Sequence, residues 1–151
     1  MRMQITSRFT IAIHTIALIE FNKDMKVTSK IIAGSTNVNP VIVRGVISQL
    51  KEANIINSRQ GASGITLARP LDKITFYDIY EAVDSVKDVG LFHFHENPNM
   101  ECPVGRNIHA ATDSRLAQVQ ASMENEMKQI KLSDVVDDVK IKIKAEKNEN
   151  G

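Results

Sequence analysis

Residues 36 to 70, TNVNPVIVRGVISQLKEANIINSRQGASGITLARP, constrain this chain more than any other stretch. Asn39-Pro40 is a helix N-cap followed by proline at the first helical position, where its missing N–H costs nothing. Val43, Val46, Ile47 and Leu50 then recur at 3-1-3 spacing and define one apolar helix face. Val41, Arg44, Gly45 and Ser48 fall on the opposite face, whose first turn is polar and uncovered. The pattern ends at Ala53-Asn54, and Ile55-Ile56 at once opens a strand. Arg59-Gln60-Gly61-Ala62-Ser63-Gly64 is a polar, basic hairpin tip, and Ile65 to Ala68 brings the chain back.

Charge is divided in the same place. The whole chain of 151 residues is nearly neutral at +1. Residues 1 to 70 carry nine Lys/Arg against three acids, a net of +6. Residues 71 to 151 carry ten Lys/Arg against fifteen Asp/Glu, a net of −5. A basic half that contains a bare helix face is an electrostatic footprint for phosphate.

The segments before residue 36 complete the unit. Residues 6 to 22 predict a first helix capped by Thr6 or Ser7. Phe9, Ile13, Ile16 and Ala17 form one apolar face and Ile11, Leu18 and Phe21 a second. A helix apolar on two sides must be covered on both, the second side by a later helix or another subunit. His14, on this buried helix, is expected to be a satisfied structural histidine. A second helix spans about 28 to 34, with Thr28 or Ser29 as cap and Gly34 suited to a left-handed C-cap. Helix, turn, helix and hairpin in this order are the elements of a winged helix-turn-helix, which places its last helix in the major groove of DNA. On that reading Asn39, Val41, Arg44 and Ser48 face base edges, with Pro40 beside them in the DNA-binding set. Thr28, Ser29, Lys30 and Asn37 hold phosphates, and Arg59, Gln60 and Ser63 put the wing on the backbone or minor groove.

Beyond Pro70, Thr75 caps a fourth helix with Phe76, Ile79, Tyr80 and Val83 as its buried stripe. Residues 86 to 104 are irregular. Pro103 to about Ile130 is the longest helical segment, roughly 37 Å at 1.5 Å per residue. Its apolar positions Leu116, Val119, Met123, Met127 and Ile130 repeat with a period near 3.5, which favours a seam with another helix. A two-fold homodimer is the simplest cover; a shorter helix from about Ser133 to Ala145 is the intramolecular alternative. The expected fold class is therefore mainly α with a small β-hairpin wing. Residues 1–84 form the DNA-binding domain, 85–146 the linker and dimerisation helices, and 147–151 a disordered tail.

Composition excludes several classes. A single cysteine rules out an intramolecular disulfide framework and a cysteine-rich metal site, and fits a reducing cytoplasm. The apolar stretch Phe9 to Phe21 is interrupted by His14 and Glu20 and reads as neither signal peptide nor membrane span. No catalytic set is present: Gly61-Ala62-Ser63-Gly64 precedes a strand, where a nucleophile elbow would precede a helix. The chain is not expected to be an enzyme.

The run Gly61-Ala62-Ser63-Gly64-Ile65-Thr66-Leu67-Ala68-Arg69-Pro70, followed by Ile74-Thr75 and Asp78-Ile79-Tyr80-Glu81-Ala82-Val83, resembles the Rrf2 family of bacterial winged helix-turn-helix transcription regulators. The resemblance covers residues 1 to about 130. It implies a homodimer joined through the long helix, and repression or activation at promoters, with repression the expected sign. Members that sense iron, nitric oxide or redox state typically hold an iron–sulfur cluster on three cysteines after the fourth helix. Here that region offers only Cys102, so the chain is similar to the cluster-free branch and no cofactor is expected.

Two sensor readings remain open. Cys102, at the start of the long helix with Arg106 one turn on, is placed for thiol oxidation, since helix amides and a nearby cation favour thiolate. His93 and His95, with Cys102 or Glu101, could instead form a metal set, although Phe92 and Phe94 alternate equally well for plain packing. The alternatives to a thiol-responsive repressor are a ligand- or metal-responsive regulator of the same fold, with its effector between the fourth and the long helix, and a winged-helix module that binds protein rather than DNA.

Overall fold

The computed structural model describes residues 5–58, 64–84, 91–92 and 95–150. Helix α1 is Ser7–Phe21, α2 Ser29–Thr36 and α3 Pro40–Glu52. Strands β1 (Ile56–Ser58) and β2 (Ile65–Leu67) pair antiparallel, with Asn57 opposite Thr66. A 3-10 turn, Leu71–Lys73, leads into α4 (Phe76–Val83), followed by α5 (Pro103–Met127) and α6 (Leu132–Asn150).

Local chemistry sets each boundary. Thr6 caps α1 by accepting from the Arg8 amide. Thr28 caps α2 by accepting from the Ile31 amide. The α2 C-cap is one helical turn later than Gly34 suggests: Asn37 takes the left-handed conformation at φ 54°. Asparagine tolerates that region because its short polar side chain bonds locally. Thr75 and Asp78 form a reciprocal capping box at the start of α4.

One aliphatic core joins these elements. Val43, Val46, Ile47 and Leu50 of α3 are all buried, with Ile16, Ile32, Ile55, Ile56, Ile74 and Ile79. Phe9 and Phe76 meet edge to face at 5.6 Å. The Asp84 carboxylate accepts from both the amide and the hydroxyl of Thr6, fastening the end of α4 to the start of α1.

The C-terminal helix does not take up the intramolecular alternative: α6 does not run back along α5. Leu132 donates from its amide to the Ile74 carbonyl, and Leu132 and Val136 are buried in the core. Val135, Val139 and Ile143 line an apolar cleft with Ile13, Ala17, Leu18 and Phe21, so α6 lies beside α1 on a side that draws residues from both of its expected apolar faces. The expected disordered tail is helical to Asn150. Its Lys, Glu and Ala residues are good helix formers and extend a helix already anchored in the core. His14 is exposed rather than buried, with Nε2 hydrogen-bonded to the Ser35 hydroxyl at 2.9 Å.

α5 packs only its inner side. Met123 and Met127 touch the core, and no residue of α5 is fully buried. Two of the five seam positions expected to face a second subunit are thus used within the chain. Among the described residues, no helix is long and apolar enough to cross a membrane.

Candidate nucleic-acid interface

The outward face of α3 starts at its N-terminus. Asn39 caps the helix by accepting from the Val41 amide at 2.8 Å, which leaves its side-chain NH2 free of that role. Pro40 occupies the first turn, and Val41 stands 66 % exposed beside it. An exposed valine at the helix start is of the right chemistry to rest on a thymine methyl.

Farther along α3, Arg44 and Ser48 open onto a cleft of about 460 Å³. Its other walls are Thr28 and Ser29 at the start of α2, Ser58 of β1, Gly64 and Ile65 at the return of the hairpin, and Lys26 and Lys51. The cleft combines three cations, the four hydroxyls of Thr28, Ser29, Ser48 and Ser58, and the positive end of α2. No acidic side chain lines it, and among the described residues none of Lys26, Arg44 or Lys51 is paired with an acid. That is the chemistry of an anion seat.

The wing base is fixed against this cleft by the backbone. The Ile65 amide donates to the Val27 carbonyl at 2.9 Å, and the Ala68 amide to the Ile55 carbonyl at 2.9 Å. Gly64 sits at φ 68°, where a Cβ would fall 2.8 Å from the Val27 carbonyl oxygen. Glycine is required both by the conformation and by the close approach.

The structure brings together four of the residues expected from sequence: Thr28, Ser29, Arg44 and Ser48. Asn39, Pro40 and Val41 lie at the N-terminal end of the same helix. Lys30 is exposed on α2 outside the cleft lining, and Asn37 is exposed in the turn, where its left-handed backbone gives it a conformational role. Arg59, Gln60 and Ser63 lie outside the described residues. Sequence reasoning missed Lys26, Lys51 and Ser58. Lys51 stands seven positions after Arg44 and three after Ser48, so helical spacing alone could have found it.

Cys102 is exposed and caps α5 without a side-chain hydrogen bond. The Arg106 guanidinium donates to the Met100 carbonyl at 3.2 Å. His109 shares a hydrogen bond with the His95 carbonyl oxygen and stacks on the His95 ring at 5.3 Å, with Asp113 at 3.3 Å from its Nδ1. His93 lies outside the described residues.

Residues 5–138 match the profile of the Rrf2 family, described as iron-dependent transcriptional regulators. YwnA of Bacillus subtilis strain 168, named as a candidate HTH-type transcriptional regulator, is 45% identical over 132 residues, spanning 87% of this chain and 96% of YwnA. A crystal structure of a candidate DNA-binding protein is 41% identical with a TM-score of 0.70, covering 85% of this chain and 98% of the other. CymR, titled the global cysteine regulator of B. subtilis, is 15% identical with a TM-score of 0.66 over 90% of this chain and 98% of its own, a likeness of fold alone.

The iron in the family description does not fit the donors of this chain. One cysteine cannot supply the thiolates of an iron–sulfur cluster. Among the described residues, no three His, Cys, Asp or Glu side chains come together as a metal site.

Proposed function

The chain belongs to the Rrf2 family of transcriptional regulators, and on that premise we propose that it is a homodimeric, sequence-specific DNA-binding repressor. The observation that carries this reading is the basic, acid-free cleft beside the exposed face of α3. Asn39, Val41, Arg44 and Ser48 read base edges in the major groove, with Pro40 setting the helix start. Thr28, Ser29 and Lys30 hold backbone phosphates at the α2 end, Lys26 and Lys51 extend that seat, and Asn37 shapes the turn. Arg59, Gln60 and Ser63 carry the wing to the backbone. Two subunits, joined through α5, address two half-sites of a near-palindromic operator.

Cys102 is the proposed redox sensor. Its thiolate attacks hydrogen peroxide, the S–O bond forms as the O–O bond breaks, and the departing hydroxide leaves as water after protonation. The product is a sulfenic acid at the start of α5.

Anisotropy titration against duplex DNA from upstream of the chain's own gene tests the reading, at two salt concentrations and with or without peroxide. Tight, salt-sensitive and sequence-selective binding is expected, with loss on oxidation in the wild type and not in Cys102→Ser. Indifference to oxidant removes the thiol switch and points to a small-molecule effector. Binding no tighter than to random DNA overturns the regulator and leaves the protein-binding module.

A further inference from the structure

Arg8 belongs to α1, yet its guanidinium lies on the outward face of α3. Gly45 sits on that face, on the side of the helix away from Val43, Val46, Ile47 and Leu50. A Cβ at Gly45 would fall 3.2 Å from Nη1 and 3.3 Å from Nη2 of Arg8. Gly45 is half-buried despite its outward position, as the overlying guanidinium requires. Arg8 Nη1 donates to Gln49 Oε1 at 2.7 Å, and Gln49 Nε2 is 3.5 Å from the Val83 carbonyl oxygen. The arginine is thus held by one acceptor, and among the described residues its other N–H groups have no hydrogen-bond partner. Among the described residues it has no acidic partner, and nearby Asp84 is turned to Thr6.

A helix lying in a major groove has a phosphate backbone on each side. Arg44, Lys51, Lys26 and the start of α2 occupy one flank of α3. Gly45 and Gln49 mark the other, and α3 itself places no cation there. We propose that Arg8 is the phosphate contact on this second flank, a part of the DNA-reading surface supplied by α1 and admitted by the glycine at position 45. The proposal rests on the regulator reading above. It gives the reading helix a positive group on both sides, as backbone contacts that fix register demand.

The test is the salt dependence of binding to the upstream duplex and to a random duplex, by anisotropy, for wild type, Arg8→Gln and Arg8→Lys. Glutamine keeps a hydrogen-bonding side chain beside Gln49 and removes the charge. Each phosphate contact contributes about 0.9 to the slope of log K against log salt. Arg8→Gln should therefore lose about 0.9 of slope for each subunit bound and weaken both duplexes alike. Arg8→Lys should restore the slope. An unchanged slope in Arg8→Gln overturns the proposal, as does a loss of affinity confined to the specific duplex. If Arg8→Gln melts before it can be titrated, Arg8→Met takes its place, keeping the apolar stem and removing the charge. Arg8→Met should lower the slope while Arg8→Lys keeps it, and equal slopes overturn the idea. Absence of salt-sensitive binding by the wild type would remove the regulator reading itself.

Discussion

The Tyr80 hydroxyl donates to Glu124 Oε1 at 3.3 Å and so ties α4 to α5 across the protein's inner surface. Gln120 Nε2 donates to the same oxygen at 3.0 Å, and its own Oε1 accepts from the Leu91 amide. Burial, followed by the negative charge of Glu124, pushes the Tyr80 hydroxyl up to about 12. The hydrogen bond to Glu81, followed by burial, raises Tyr77 to about 12 as well. A group whose pKa is raised on folding stabilises the fold fully below its unfolded value, near 10, and loses that contribution as pH rises through the folded value. Stability should hold to about pH 10 and fall between about 10 and 12. These are the chain's two tyrosines, so absorbance at 295 nm reports them alone. Titration of both near 10 in the native protein would contradict the tie, and Tyr80→Phe should flatten the alkaline decline.

Arg44 and Lys51 line the same cleft but stand for different tasks. Arg44→Ala should cost about 1–3 kcal/mol on the operator and relax selectivity at one base position. Lys51→Ala should weaken specific and random duplexes together and reduce the salt slope by about 1. Competition binding with single-base operator variants separates the two. Loss of selectivity from Lys51→Ala, with none from Arg44→Ala, would reverse the assignment of the reading face.

Gly64→Ala combines a positive φ with a close backbone approach. The alanine methyl must either clash with the Val27 carbonyl or move the base of the wing. Strain of this kind costs on the order of 1–3 kcal/mol. Thermal denaturation should show a lower midpoint, and DNA binding should weaken because the wing and the Lys26–Ser29 segment share this contact. An unchanged midpoint would mean that the hairpin return is free to relax.

Leu132 shows where sequence reading stopped short. The α3 pattern and the caps at Thr6, Thr28, Asn39 and Thr75 were legible because each depends on residues three or four apart. Which of a later helix or a second subunit lies beside α1 was not, because α6 reaches it across more than a hundred residues and periodicity carries no long-range pairing. From sequence α6 is only a shorter, alternative cover for the long helix, yet Leu132 and Val136 at its start are buried, Leu132 in the same core as Ile74. The boundary drawn after residue 84 therefore does not isolate an independent N-terminal core. Leu132→Ala should destabilise the whole protein by about 2–5 kcal/mol in one cooperative transition. A denaturant midpoint unchanged from wild type would show that α6 is dispensable to the core.

The open side of α5 bears on assembly. Val104 is 69 % and Val119 53 % exposed, and Ile108 and Ala111 fall on the same side at helical spacing, with Arg115 the one charge between them. This stripe is rotated from the seam read in the sequence, because Met123 and Met127 are turned toward the core. A long helix with one side packed and an apolar stripe left in water lowers its free energy by pairing that stripe. In the proposed homodimer the stripe meets its two-fold mate, so one charge there is repeated in both subunits. Val119→Glu should convert the dimer to a monomer in sedimentation at micromolar concentration while the melting of Leu132-dependent core structure stays close to wild type. The monomer should still bind a single half-site in a salt-dependent manner, but lose the affinity that comes from engaging two at once. A Val119→Glu protein that remains dimeric would move the interface off this stripe, whereas a wild type that sediments as a monomer would remove the dimer from the proposal.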